Sequence, residues 1–149
     1  MERNKIILVS VGIVLLALIG FNFNNITGRA TGNIFPDVTV FPGKVNAGEI
    51  VEIKVKPRIG CVDPEISFYY TGKDSSGVVS SSGGRKGTVT QKGGFKICNN
   101  DKGILNPDGS FTVRYRTEPG WDGEYYAKVY YWKDRNTKDY VNAYFNVLK

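Results

Sequence analysis

Residues 121–147 alternate between two kinds of side chain with a period of two. The first arm, W-D-G-E-Y-Y-A-K-V-Y-Y-W, is followed by a polar K-D-R-N-T-K-D and a second arm, Y-V-N-A-Y-F-N-V. Successive side chains of a β-strand point to opposite faces of a sheet, so this pattern predicts a β-hairpin with long arms. A chain that carries such a hairpin is constrained to build an antiparallel sheet around it.

Each arm of this hairpin has one mainly aliphatic face and one aromatic face. A strand with one face in the core places its Val, Ile and Ala there, so the aliphatic face is predicted to be buried. The predicted buried residues are Tyr125, Ala127, Val129, Tyr131, Val141, Ala143, Phe145 and Val147. The opposite face is then exposed, and it carries Tyr126, Lys128, Tyr130, Trp132, Tyr140, Asn142, Tyr144 and Asn146.

The chain before the hairpin is predicted to form further short strands. The same alternation marks residues 35–41, 49–56, 66–71 and 110–117. A small hairpin is predicted from 88–91 and 95–98 around Gly93-Gly94, a turn at 44–48, and a long mobile loop at 72–87. Regularly spaced strands with no helix between them predict an all-β fold, an antiparallel β-sandwich of about seven strands over residues 35–149.

The composition argues against catalysis. The chain has no His, which removes His-based triads, His general bases and His-containing metal sites. No Gly-rich phosphate loop follows a strand and opens a helix, and no carboxylate pair stands in a recognisable motif. We therefore expect no enzymatic activity, no catalytic residue, no metal and no cofactor.

The chain is basic, with a net charge of +6. Its short N-terminal leader (Glu2, Arg3 and Lys5) accounts for one of these charges. The basic residues form no run of four or more, so they are predicted to lie on solvated strand faces. We expect no nucleic-acid partner, because the domain is predicted to lie outside the cytoplasm.

The two cysteines, Cys61 and Cys98, are predicted to form a disulfide. Two thiols alone do not make a structural zinc site. A small, even number of cysteines in an exported chain indicates a disulfide. The bond would tie the Gly- and Ser-rich loop between them to the body of the domain.

Residues 6–23 form an apolar run near the N-terminus. Eighteen residues of helix span about 27 Å, which is close to the thickness of a bilayer core. The run predicts a transmembrane signal-anchor helix, with residues 1–5 in the cytoplasm because of Arg3 and Lys5. Two alternatives stay open: a cleaved signal peptide, although its apolar core is usually only about 7–15 residues long, and a pilin-like assembly helix.

The chain outside this helix is predicted to be extracellular or periplasmic in a single-pass membrane protein. Residues 24–34 are rich in Gly, Thr and Asn and are predicted to be a flexible tether. Within the tether, Asn25-Ile26-Thr27 is a glycosylation sequon, which makes Asn25 a candidate acceptor.

Two stretches resemble known domain families. The sequence D-G-E-Y-Y-A at residues 122–127 resembles the D-x-G-x-Y-x-C stretch that opens strand F of immunoglobulin-like domains, and P-G-K-V-N-A-G-E-I-V-E-I-K-V resembles the start of prokaryotic immunoglobulin-like and fibronectin-III-like surface domains. D-G-S-F at 108–111 is similar to macroglobulin-type sandwiches. The resemblance implies a non-catalytic surface role, and it implies that Tyr125 is a tyrosine corner whose hydroxyl bonds to the backbone upstream.

In an immunoglobulin-like sandwich, residues 66–71 and the two hairpin arms would be strands C, F and G of one sheet. The aromatic side chains that would point outward from this sheet are Tyr69, Tyr126, Tyr130, Trp132, Tyr140 and Tyr144. The second sheet would show an ordinary charged exterior of Glu52, Lys54, Lys56, Arg114 and Arg116. Exposed Tyr and Trp offer a large contact area with a polar tip, which favours a binding surface for a sugar, another protein or a second copy. The alternatives are cross-strand pairs that only stabilise the sheet, or coverage by the long loop.

The function expected from these observations is non-enzymatic. The chain is predicted to be a membrane-anchored cell-surface interaction or structural module that binds a protein or glycan partner, or itself, through the aromatic face. The alternative is an accessory or filament subunit whose N-terminal helix assembles into a larger membrane or surface complex.

Overall fold

The computed structural model describes residues 34–92 and 94–149. The predictions on the signal-anchor helix, on most of the tether and on Asn25 lie outside these residues. The described chain is all-β, with strands β1 Asp37–Phe41, β2 Lys44–Asn46, β3 Ile50–Lys56, β4 Cys61–Tyr70, β5 Gly84–Thr90, β6 Ile97–Cys98, β7 Phe111–Arg116, β8 Gly123–Trp132 and β9 Lys138–Leu148. Across the same residues, no helix has the length and apolar character needed to cross a membrane.

The nine strands form two sheets. One has three strands in the order β1-β3-β7, and the other has six, in the order β2-β9-β8-β4-β5 with β6 also paired to β4. The hairpin predicted from the alternation is confirmed as β8 and β9, in the register Tyr126↔Tyr144 and Tyr130↔Tyr140. Every pairing is antiparallel except one, because β2 runs parallel to β9.

The inner faces of the two sheets share one hydrophobic core. Val51, Ile53 and Val55 of β3 are fully buried, as the alternation predicts. Across from them, the ring of Phe68 on β4 stacks on Tyr115 of β7, with centroids 4.1 Å apart, and this contact joins the sheets. Each buried aliphatic or Phe side chain contributes about 1.5–3 kcal/mol, so the core favours this pairing of faces.

The small hairpin predicted at 88–98 is wrong. The segments do not pair with each other, since β5 and β6 both pair with β4. Strand β4 begins at Cys61 and not at residue 66, and β5 and β6 both pair with the edge of this longer strand. Pro64 hides this extension in the sequence, because proline cannot donate to a ladder. The structure accommodates it with a register shift between Val62 and Ile66.

Two other segments differ from expectation. The predicted turn at 44–48 contains β2, whose Val45 pairs with Val147 and enters the core. The predicted loop at 72–87 ends earlier, because Gly84 already belongs to β5. Gly87 on this strand allows a close approach, since a Cβ atom there would overlap the hydroxyl of Tyr115.

Candidate binding surface

The outer side of the six-stranded sheet carries all six aromatic residues predicted as a binding surface. They come from β4, β8 and β9, which are neighbours in that sheet. We call this surface the aromatic face: Tyr69, Tyr126, Tyr130, Trp132, Tyr140 and Tyr144. The alternation predicted their placement because side chains at every second residue share one face of a strand.

The rings of the aromatic face pair across strands. Tyr69 stacks on Tyr126 with centroids 5.2 Å apart and planes 8° apart, and Tyr126 meets Tyr144 at 5.5 Å. A second pair, Tyr130 with Tyr140, has its centroids 6.0 Å apart. The cross-strand pairing considered as an alternative is therefore present, and such pairs stabilise a sheet.

Pairing does not cover the rings. Tyr140 remains 49% exposed and Tyr144 remains 58% exposed. The coverage by residues 72–87 that was considered as an alternative is absent at these two positions. Tyr140 and Tyr144 thus pair across strands and remain accessible.

A lysine lies among four of the tyrosines. The Lys128 Nζ atom is 4.3 Å from the Tyr140 ring centroid and 4.9 Å from that of Tyr69. The rings of Tyr126 and Tyr130 lie at 5.9 and 6.0 Å. Ammonium groups within about 6 Å of a ring centroid are attracted to the negative face of the ring. The aliphatic stem of the lysine also packs along such apolar surface.

A second cluster of rings and lysines surrounds Trp132. The ammonium of Lys96 is 3.7 Å from the centroid of the indole, and that of Lys138 is 4.5 Å from it. Phe95 adds a ring 5.4 Å from Trp132 and is 70% exposed. Asp63 pairs with Lys138 and supplies the negative charge of the cluster.

Phe95, Lys96 and Lys138 were not among the predicted site residues. The predicted disulfide is confirmed between Cys61 and Cys98, which lie opposite each other where β6 pairs with β4. This pairing brings residues 95 and 96 to the end of the aromatic face. The sequence pattern predicts a separate hairpin for these residues and therefore does not place them beside Trp132. Lys138 could have been found from the hairpin register, because it lies opposite Trp132.

The hydroxyls of two tyrosines turned toward the interior have hydrogen-bond partners. Tyr70 shares a hydrogen bond with Ser80 Oγ at 3.1 Å, and Tyr125 accepts one from the backbone N–H of Asp122 at 3.3 Å. Burial raises the pKa of Tyr125 and of Tyr131.

The tyrosines of the aromatic face lack such hydroxyl partners. None of their hydroxyls has a hydrogen-bond partner in residues 34–92 or 94–149. A phenolic O–H both donates and accepts, so each of these groups is open to solvent or ligand.

Two further polar atoms on the outer side of this sheet lack partners in the described chain. They are the indole Nε1 of Trp132 and the amide Oδ1 of Asn142, which lies opposite Lys128. Buried polar atoms are normally satisfied, and an unsatisfied one costs about 1–3 kcal/mol.

The outer side of the three-stranded sheet is charged, as predicted. Arg114 donates to Glu52 Oε1 through Nε at 2.7 Å, and Lys54 pairs with Asp108 at 2.6 Å. Arg116 donates to the backbone carbonyl oxygen of Gly48 at 2.9 Å. The ammonium of Lys54, with the hydroxyl of Ser110, holds the pKa of Asp108 well below its usual range.

The described chain offers little for metal chemistry. Within residues 34–92 and 94–149, no three Cys, Asp or Glu side chains are grouped as a metal site requires.

The fold and this surface define a class: an all-β domain of two sheets with one disulfide and an aromatic outer face. No family model matches the chain, and no curated protein matches it significantly. Among solved structures, one on T cell specificity and activation by the bacterial superantigen toxic shock syndrome toxin-1 contains a similar chain. The TM-score is 0.42 at 15% identity, over 76% of this chain and 98% of that chain. A likeness at this level carries no argument about function.

Proposed function

We propose that this chain is a non-enzymatic, membrane-anchored cell-surface interaction module that binds a protein or glycan partner, or itself, through the aromatic face. The domain is an immunoglobulin-like β-sandwich held outside the cytoplasm by a signal-anchor helix at residues 6–23. The anchor is supported by the length of the apolar run and by the positive charge that precedes it.

Two features support an immunoglobulin-like sandwich. The described strands form two sheets with a shared core, and the predicted C, F and G strands (β4, β8 and β9) are neighbours. Tyr125 accepts a hydrogen bond from the backbone N–H of Asp122, three residues upstream, as a tyrosine corner would. The disulfide supports the location, because such bonds persist in an oxidising compartment.

One observation carries the interaction role: a set of paired, partly exposed rings with open hydroxyls surrounds Lys128. Large aromatic side chains give binding area at low entropic cost, because they have few rotatable bonds. Exposed rings grouped on one face are typical of interaction surfaces.

The test measures binding by the full-length chain to a panel of purified polysaccharides, together with its self-association by analytical ultracentrifugation. The key variant is Tyr130→Ala/Trp132→Ala/Tyr144→Ala. We expect the wild-type chain to bind one panel member or itself, and the variant to bind at least tenfold more weakly, because the contact area is lost.

The matched control alters the other sheet in the same number of positions: Thr112→Ala/Arg114→Ala/Arg116→Ala. It should bind like the wild type. Equal binding by the wild type and a folded aromatic variant would contradict the proposed role. No binding and no self-association by the wild type would contradict a glycan partner and self-association. Alkaline extraction of membranes tests the anchor separately, since an integral chain stays in the pellet.

A further inference from the structure

The aromatic face carries more ammonium groups than carboxylates to neutralise them. Lys138 is paired with Asp63, and Glu65 on the same sheet is paired with Arg85 at 3.2 Å. For Lys96 and Lys128, no carboxylate of residues 34–92 or 94–149 lies within the 4.0 Å of an ion pair. The charge on this face is therefore available to an anionic ligand.

The two groups of cations are separated by rings. Lys128 and Trp132 stand four residues apart on β8, which is about 13 Å along a strand. Tyr130 and its partner Tyr140 lie between them. The surface thus alternates along one direction: a cation, a pair of rings, and then the cations at Trp132.

We propose that the ligand of the aromatic face is an acidic polysaccharide. This inference rests on the proposed function and names its partner. The flat C–H face of a sugar ring packs on one ring of the Tyr130–Tyr140 pair, whose planes stand 71° apart, while acid groups on neighbouring sugars meet Lys128 and the Lys96–Lys138 cluster. The open tyrosine hydroxyls hydrogen-bond the sugar hydroxyls. A linear polymer with a repeating ring and a repeating charge matches a surface that repeats both.

The charge on the face disfavours a second copy of the chain as the main partner. A two-fold contact places the same patch on both molecules, so the lysine-bearing face of one molecule would meet the lysine-bearing face of the other. Like charges placed together across an interface cost several kcal/mol. An acidic polymer brings the opposite charge instead.

The experiment measures binding of the full-length chain to two acidic polysaccharides, each beside its own neutral backbone. Polygalacturonate is compared with methyl-esterified polygalacturonate, and dextran sulfate with dextran. These pairs separate a carboxylate source from a sulfate source at constant sugar chemistry. Polyglutamate and a single-stranded oligothymidylate test the two other acidic polymers. Every titration is repeated at raised salt, which weakens exposed ionic contacts.

Two charge-removing variants test the geometry. Lys128→Met keeps the side-chain length and removes the ammonium from among the tyrosines, and Lys56→Met makes the same change on the three-stranded sheet. We expect at least one acidic polysaccharide to bind tenfold or more tightly than its neutral partner. Lys128→Met should lose tenfold or more, and Lys56→Met less than twofold. If Lys128→Met does not fold, two other variants give the same test. Lys96→Met should lose binding, and Lys128→Arg should retain it.

Each of the other outcomes contradicts a stated part of the two proposals. Equal binding to the neutral and acidic polysaccharides, with loss in the triple aromatic variant, rejects the acidic ligand but leaves the interaction role standing. Tighter binding to polyglutamate or oligothymidylate than to either polysaccharide rejects a sugar ligand. Binding that none of the aromatic-face variants changes rejects both proposals.

Discussion

The outer faces of the two sheets hold their positive charge in different ways. On the three-stranded sheet, Lys54 and Arg114 each face a carboxylate and Arg116 faces a backbone carbonyl, whereas Lys56 has no ion pair among the described residues. On the six-stranded sheet, Lys96 and Lys128 face aromatic rings. Both faces are exposed strand surfaces of one domain, so solubility alone does not account for the difference. The difference teaches that the fold neutralises most of the positive charge on one face through ion pairs, whereas on the other it sets two ammonium groups among rings.

The largest expected effect comes from removing the disulfide, which holds residues 95 and 96 at the end of the aromatic face. We expect the Cys61→Ala/Cys98→Ala variant to lose about 3–4 kcal/mol of stability, because the bond closes a loop with a sequence separation of 37. Urea unfolding at equilibrium measures the loss. Lys56→Met serves as an exposed control. A variant as stable as the wild type would show that β6 holds its place through pairing with β4 alone.

A smaller effect separates the two faces directly. Tyr126→Ala removes ring contacts to both Tyr69 and Tyr144, so we expect a loss of about 1–2 kcal/mol. Arg114→Ala removes an exposed ion pair with Glu52, so we expect a loss of about 1 kcal/mol or less, which shrinks in high salt. Urea unfolding at low and high salt compares the two variants. Equal losses of stability with equal salt dependence would show that ring contacts and ion pairs do not distinguish the two faces.

The smallest expected effect concerns Asp108 and pH. Its folded pKa is lowered by Lys54 and Ser110, so the carboxylate stabilises the fold above its unfolded pKa of about 3.9. This contribution is lost as the pH falls through the lower folded pKa. Asp108→Asn keeps the side-chain oxygen that accepts from Ser110 and removes the charge.

The melting temperature of Asp108→Asn should lie slightly below that of the wild type at pH 7, and the gap should narrow below about pH 3.9. Thermal unfolding followed by circular dichroism measures it. A gap that keeps its size down to pH 2 would place the effect in the hydrogen bonds of the turn and not in the charge.

Much of the fold follows from local pattern. The alternation in β3, β7, β8 and β9 assigns each side chain to one face, because the period of a strand is two and one face is buried. It therefore predicted the core positions Ile53 and Val129 and the aromatic face before any pairing was known. The disulfide was predicted from cysteine number and compartment.

The rest of the fold and of the candidate site depended on which strands pair. Pro64 interrupts the pattern of β4, so the sequence concealed the edge on which β5 and β6 dock. Lys96 and Phe95 belong to the site only because β6 crosses to that edge. No local pattern encodes such a contact, since its partners are distant in the chain.

By itself, the sequence determined the all-β class, the buried and exposed faces of the long strands, and the covalent link between Cys61 and Cys98. Tertiary structure alone decided that Lys128 lies among four rings and that two more lysines share Trp132. The physical reason is that side-chain alternation is a property of one strand, whereas the surroundings of a charge are set by the register between strands.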